Sequence, residues 1–207
     1  MLKLKFAVPV LAVMFAFVAF APLAPAQAAD DAAVAQVQKF YDTLLDSMKN
    51  AKALGVKGRY AKLEPVIKAV FALPKMTSIV VGPDWDKLSD AQKTALTKAF
   101  TRMTIANYAK NFDGYGGEKF VVEPKSKEHK TDRIVMSTMI IPGRDNVPFN
   151  YRMRQIDGTW QVIDIFLNGY VSEMATRRAD FSATLKADGA DGLVKKINTL
   201  TDKLLAD

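Results

Sequence analysis

The stretch from Val147 to Asn168 constrains the fold of this chain more than any other. It contains two segments of alternating apolar and polar residues, joined by Asp157-Gly158-Thr159. An Asp-Gly pair between two such segments is a strong short-range signal for a β-hairpin. The sequence therefore predicts a long antiparallel hairpin, with residues 157 to 159 as its loop and Ile156 paired with Trp160.

This register separates the side chains of the hairpin into two faces. It places Arg152 opposite Asp164 and Arg154 opposite Val162, and a shift by one residue would mix the faces because side chains alternate with a period of two. The polar face then carries a cross-strand ion pair between Arg152 and Asp164, with a catalytic acid at Asp164 as the alternative. The apolar face collects Val147, Phe149, Tyr151, Met153, Ile163, Ile165 and Leu167.

The N-terminal segment is typical of a secretory signal peptide. Lys3 and Lys5 precede an apolar run from Phe6 to Phe20, and the small-residue site Ala26-Gln27-Ala28 follows two prolines. A transmembrane anchor is the alternative, but a span needs about 20 consecutive apolar residues. We therefore expect residues 1–28 to be removed and residues 29–207 to form one domain. Loss of Lys3 and Lys5 would lower the formal charge from +7 to +5.

The remaining chain reads as helices, then antiparallel strands, then helices, which predicts a single α+β domain. Ser89 and Gln92 form a capping-box pattern that opens the longest helix, ending near Asn111. The other helices are expected over 30–49, 60–71, 172–185 and 193–205, with a short segment over 73–83. Strands are expected over 120–123 and 133–141, a connection over 52–59, a charged turn over 125–130 and a glycine-rich break over 188–192.

The residues that catalysis or metal binding would need are scarce in the sequence. His129 is the only histidine, it lies in a polar turn, and the chain has no cysteine. A zinc site or a Ser-His-Asp site would have to use this one histidine. The glycines of residues 114–117 follow a helix and precede a strand, the reverse of a phosphate-binding loop. We therefore predict no catalytic residue, no metal and no cofactor.

Apolar side chains offer the most informative candidate site. Methionine fills irregular space and adapts to flexible ligands, so the methionines together with the apolar face of the hairpin can line a lipid cavity. An ordinary solid core is the alternative. The candidate lipid-binding residues are Phe71, Met76, Phe100, Met103, Tyr108, Met139, Phe149, Tyr151, Met153, Ile163, Ile165 and Leu167.

Two groups of residues give the chain a family resemblance. The first half carries Leu73-Pro74-Lys75-Met76, Val81-Gly82, Trp85, Ser89, Gln92, Phe100, Tyr108 and Tyr115, and the second carries Tyr151-Arg152, Asp157-Gly158, Trp160, Val162, Asp164, Gly169, Arg177, Phe181, Leu185 and Gly192-Leu193. Their spacing resembles the MlaC family, also called the toluene-tolerance family. Residues 55–60, 112–115 and 172–178 look most like its hopanoid-associated HpnM branch, whereas Tyr170-Val171 departs from the Gly-x-Ser turn of many phospholipid carriers.

The resemblance implies a periplasmic lipid carrier and not an enzyme. Family members are similar to nuclear-transport-factor-2-like cones, with a curved antiparallel sheet covered by helices and lipid tails inside. They carry lipid between an inner-membrane ABC transporter complex and an outer-membrane lipoprotein complex. For this chain the implied ligand is a phospholipid or a hopanoid. The alternatives are an accessory protein of hopanoid handling that carries no lipid, and a hydrolase of lipid head groups.

Overall fold

The computed structural model describes residues 31–206, so the expected signal peptide lies outside the described residues. The helices are α1 (Ala32–Lys49), α2 (Ala51–Val70), α3 (Leu73–Val81), a 3₁₀ helix (Gly82–Lys87), α4 (Asp90–Asn111) and α5 (Glu173–Leu205). The strands are β1 (Lys119–Val122), β2 (Lys127–His129), β3 (Asp132–Val135), β4 (Ser137–Ile140), β5 (Val147–Ile156), β6 (Thr159–Leu167) and β7 (Val171–Ser172).

Strand β5 is the centre of an antiparallel sheet. Its first half pairs with β4 and its second half with β3, while β6 runs along its other side and pairs in turn with β7. Strands β1 and β2 extend the sheet beyond β4 and β3. The predicted hairpin is therefore confirmed as the middle of the sheet.

Two strand predictions need correction. The single strand expected over 133–141 is divided into β3 and β4 at Met136, whose carbonyl accepts a hydrogen bond from the backbone N–H of Glu123 at 2.9 Å. The charged turn expected over 125–130 contains β2, which is exposed along its whole length. Apolar alternation could not reveal β2, because no face of this edge strand is buried.

The helix starts follow from their capping residues. Asp31 caps α1 by accepting hydrogen bonds from the backbone N–H groups of Ala33 and Val34. Ser89 and Gln92 form the predicted capping box of α4. These side chains accept hydrogen bonds from N–H groups that have no partner within the first helical turn.

The connection expected over 52–59 is shorter than predicted. The chain is helical on both sides of Gly55 and is interrupted only there, where φ is 58° and ψ is 179°, a conformation that glycine adopts without steric cost. Arg59 is buried beside this kink and donates to the carbonyl oxygens of Ala109 (2.7 Å) and Ala51 (2.9 Å). The guanidinium thereby joins α2 to the last turn of α4.

The glycine-rich break predicted over 188–192 is confirmed at Gly189, where φ is 67° and ψ is −166° and α5 divides into two helical halves. The second half folds back on the first, because the Lys196 amine donates to the Thr184 hydroxyl at 2.9 Å. Helix α5 packs against α3 and α4, whereas α1 contacts β1, β3 and β6 and lies against the sheet. The α+β class predicted from the order of elements is confirmed. None of the helices within residues 31–206 combines the length and apolar character needed to cross a membrane.

Candidate functional site

The hairpin carries an apolar face directed at the helices. Phe149 pairs with Leu167, Tyr151 with Ile165 and Met153 with Val162. Tyr151, Met153 and Val162 are almost completely buried. The first two of these pairs, and the pair Arg152–Asp164, agree with the predicted register.

The register near the turn differs from the prediction. Ile156 pairs with Thr159 rather than Trp160, and Arg154 pairs with Gln161 rather than Val162. The loop is therefore the two residues Asp157 and Gly158, with φ values of 49° and 78°, as two-residue hairpin turns require. A β-bulge compensates for the shorter loop, because Ile163 lies between the paired residues Val162 and Asp164 without a partner on β5.

The predicted ion pair between Arg152 and Asp164 is wrong, although the two residues lie opposite each other. Asp132 on β3 binds both Arg152 (2.6 Å) and Arg154 (2.6 Å) through its carboxylate oxygens. Burial alone would raise the pKa of Asp132, but the hydrogen bonds from Arg154 and Arg152 outweigh it and hold the pKa below its usual value.

Asp164 holds the start of α5 instead. Its carboxylate accepts hydrogen bonds from the backbone N–H groups of Ile165 (2.8 Å) and Met174 (3.1 Å) and from the hydroxyl of Ser172 (2.6 Å). With three donors on the carboxylate, Asp164 has a structural role and is not placed as a catalytic acid.

An aromatic row leads from the surface to the centre of the hairpin face. The ring centroids of Phe112 and Tyr108 are 5.7 Å apart, those of Tyr108 and Phe40 are 5.1 Å apart, and those of Phe40 and Tyr151 are 6.4 Å apart. Phe71 contacts the row through Phe40 at 5.1 Å. Aromatic pairs at such distances pack favourably, so the row is one continuous series of packed aromatic rings.

Three tyrosines bring hydroxyl groups into this interior. The Tyr41 hydroxyl lies 2.7 Å from the Ser137 hydroxyl, and burial raises the pKa of Tyr41 to about 12. Burial also raises the pKa values of Tyr108 and Tyr151 well above the usual range. All three are therefore neutral at physiological pH and offer hydrogen bonds without charge.

The row reaches the surface at a concavity that we call the mouth. It has a volume of about 590 Å³ and lies between the α4–β1 loop and the β4–β5 turn. Met48, Phe112 and Met139 line it and also pack with the apolar interior, while Arg144 and Glu118 lie at its polar edge. A concavity of this size is typical of small-molecule sites.

The structure brings the predicted site residues together, with one exception. Ile163 at the bulge is buried but does not join the apolar cluster within residues 31–206. The sequence pattern did not single out Phe40, whose ring packs against four others, those of Tyr41, Phe71, Tyr108 and Tyr151. Phe40 lies three residues after Val37, so the helical spacing that identified Val37, Tyr41 and Leu44 includes it. The predicted site residues that belong to the cluster of buried apolar side chains or pack against it are Phe71, Met76, Phe100, Met103, Tyr108, Met139, Phe149, Tyr151, Met153, Ile165 and Leu167.

His129 is exposed in β2 and pairs with Asp132 across the strands. In the part of the chain that the structure describes, no three histidine, cysteine, aspartate or glutamate side chains cluster as metal ligands would. The exposed position agrees with the interpretation of His129 as a solvated surface residue.

Comparison with known proteins gives a family match and a structural match. The family model described as MlaC protein matches residues 38–199. A phospholipid-binding protein from Ralstonia solanacearum, solved in complex with a phospholipid, is similar to this chain with a TM-score of 0.73 and 22% identity; the match covers 85% of this chain and 99% of that chain. No curated protein matches the sequence.

Proposed function

The chain belongs to the MlaC protein family, and from this premise we propose that it is a periplasmic lipid-binding and lipid-transfer protein. The observation that carries the proposal is the aromatic row from Phe112 through Tyr108 and Phe40 to Tyr151, which joins the mouth to the apolar hairpin face. A lipid tail that enters at the mouth would exchange contacts with water for contacts with these rings.

The energetic benefit of such a carrier is large. Two acyl chains with about 30 methylene groups together cost roughly 24 kcal/mol to expose to water, at about 0.8 kcal/mol per group. Protein side chains in the interior already contact one another, so loading replaces one set of apolar contacts with another. Release into water would restore the full cost, and we therefore propose that lipid leaves only at a membrane or a partner protein.

Phospholipid is the ligand that we favour. The similar protein from Ralstonia solanacearum was solved with a phospholipid bound, and head-group oxygens suit the polar edge at Arg144. A hopanoid is the second candidate, since the rigid rings of a polycyclic lipid would stack along the aromatic row. The hydroxyls of Tyr41, Tyr108 and Tyr151 can form hydrogen bonds with its polar groups. From the family resemblance we further propose an inner-membrane ABC transporter complex and an outer-membrane lipoprotein complex as partners.

Lipid extraction tests the proposal directly. Mass spectrometry of organic extracts from the purified protein is expected to find phospholipid or hopanoid in near-stoichiometric amount. Extracts without lipid would contradict the carrier function and favour an accessory protein that binds other proteins.

A pair of variants tests the site. Met139→Arg places a charge in the mouth, on the strand face where Met139 pairs with Phe120. Val121→Arg is the matched control, because Val121 is 49% exposed on the neighbouring strand and points away from the interior. We expect Met139→Arg to remain folded and lose bound lipid, and Val121→Arg to keep it. Undiminished lipid in a folded Met139→Arg protein would place the site elsewhere.

A further inference from the structure

A second concavity, which we call the basic groove, lies far from the mouth. It has a volume of about 620 Å³ and runs between the second half of α2 and the first half of α4, with the 3₁₀ helix at one end. Tyr60, Pro74 and Trp85 contribute apolar surface to it. The side chains of Tyr60 and Trp85 are half-buried, so part of each ring remains available for contact.

The groove follows the surface of α4. At about 100° per residue, Thr94, Thr97 and Thr101 form a stripe along the groove, with Lys93 on one side and Lys98 on the other. Threonine hydroxyls donate and accept hydrogen bonds. The floor therefore offers neutral polar groups between two lysines.

Positive charge dominates the rim. Lys68, Lys93, Lys98 and Arg102 line the groove against a single acid, Glu64. The salt bridges of Lys68 with Glu64 (2.5 Å) and of Arg102 with Asp202 (2.7 Å) compensate two of these charges. Within residues 31–206, no carboxylate forms a salt bridge with Lys93 or Lys98. These two lysines thus give the groove an uncompensated positive potential, which favours an anionic partner.

We propose that the basic groove is a docking site for an acidic peptide segment of a partner protein, with an apolar side chain of that segment packed against Trp85. The shape of the groove distinguishes such a segment from a bilayer. A bilayer is flat on this scale and would touch only the rim, whereas a peptide can enter the concavity. From Lys93 to Arg102 the groove extends about 14 Å along α4, which fits about four residues of an extended strand.

The position of the groove separates docking from lipid exchange. Both sites lie along α4, but Thr97 in the groove and Asn111 at the mouth are about 21 Å apart along the helix axis. A segment bound in the groove therefore leaves the mouth uncovered. The proposal does not depend on lipid binding, because none of the residues that line the groove is among the candidate lipid-binding residues.

Trp85 supplies the measurement. The chain has 2 tryptophans, so Trp160→Phe leaves Trp85 as the only indole reporter. The probe is a short capped peptide of alternating glutamate and leucine, with a lysine–leucine peptide of the same length as its control. We expect the acidic peptide to change the Trp85 fluorescence in a saturable way and the basic peptide to leave it unchanged.

Charge reversal in two places tests the assignment. In the Trp160→Phe background, Lys93→Glu with Lys98→Glu is expected to weaken the acidic peptide about tenfold. Lys52→Glu with Lys57→Glu makes the same change in net charge at exposed positions of α2 outside the groove, and affinity is expected to stay within about twofold. Equal weakening by both variants would overturn the proposal in favour of general charge attraction. Trp85 fluorescence that does not change with the acidic peptide, or that changes only with phosphatidylglycerol vesicles, would also overturn the proposal. Thermal unfolding of every variant shows whether loss of binding reflects loss of the fold.

Discussion

Replacement of Asp164 tests how the sheet holds the last helix. The Asp164 side chain is buried, and its three donors come from Ile165, Ser172 and Met174. Asp164→Ala removes the acceptor for all three and leaves two backbone N–H groups without their partner. At roughly 1–1.5 kcal/mol for each of the three lost hydrogen bonds, the free energy of unfolding should fall by about 3–4.5 kcal/mol.

Asp164→Asn is the conservative comparison. Its amide oxygen can still accept from the N–H groups of Ile165 and Met174, while its amide nitrogen faces the Ser172 hydroxyl as a donor. We expect a smaller loss of about 1 kcal/mol. Urea unfolding followed by circular dichroism measures both variants, and a loss below about 1 kcal/mol for Asp164→Ala would refute the assigned hydrogen bonds.

A double-mutant cycle separates this role from the ion pair that the sequence suggested. Asp164→Ala and Arg152→Ala should be additive within about 0.5 kcal/mol, because Arg152 binds Asp132 and not Asp164. Asp164→Ala and Ser172→Ala should be coupled, since their side chains share a hydrogen bond. Coupling between Asp164 and Arg152 of more than about 1 kcal/mol would show that they interact directly.

Three further predictions concern the sheet, the 3₁₀ helix and export. Because the pKa of Asp132 is lowered in the folded protein, its ion pairs stabilise the fold above the unfolded pKa of about 3.9 and lose this effect as the pH falls through the folded pKa. The destabilisation by Asp132→Asn, measured by urea unfolding, should therefore be largest near neutral pH and vanish in acid. A destabilisation that does not change with pH would contradict this prediction. Gly82→Ala should lower the free energy of unfolding by about 2–3 kcal/mol, because φ is 74° and the new Cβ would lie 2.7 Å from the Arg178 side chain. Gly114→Ala is the control, since its new Cβ would have no atom within 4 Å, and it should change thermal stability little. Equal losses of stability in the two variants would contradict the strain argument. Intact mass of the protein from the periplasm should match a chain that begins at Ala29, and a full-length, membrane-embedded product would contradict cleavage.

Local sequence signals predicted much of the helical structure. The capping residues Ser89 and Gln92 correctly located the start of α4, and apolar spacing located α1. Gly55 and Gly189 each mark a place where helical geometry fails, because both combine a positive φ with a ψ of 179° or −166°, which glycine adopts more readily than other residues. The sequence therefore located both interruptions, although it made the first one too long.

The register of the hairpin was predictable only on the side away from the turn. A three-residue loop without a bulge and a two-residue loop with a bulge both keep Tyr151 opposite Ile165. Because Ile163 is apolar, it suits either arrangement, and the pattern cannot choose between them. The ion-pair partner of Arg152 and Arg154 could not be predicted, for a different reason. Asp132 comes from β3, and nothing local in the sequence shows that β3 lies beside β5.

The edges of the sheet bear on how copies of this protein behave towards one another. An open strand edge exposes backbone groups that can pair with the same edge of another copy. Here Phe71 forms a parallel bridge with Val162, and the N–H of Ala72 donates to the Val162 carbonyl at 2.9 Å, so the chain leaving α2 covers part of the β6 edge while β7 covers its end. The opposite side of the sheet ends in β2 and β1. The lysine, glutamate and histidine side chains of β2 are exposed, and charge on an edge strand opposes edge-to-edge pairing. Along β6 and β2 the sheet therefore presents its apolar face to its own helices without giving other copies an edge on which to polymerise.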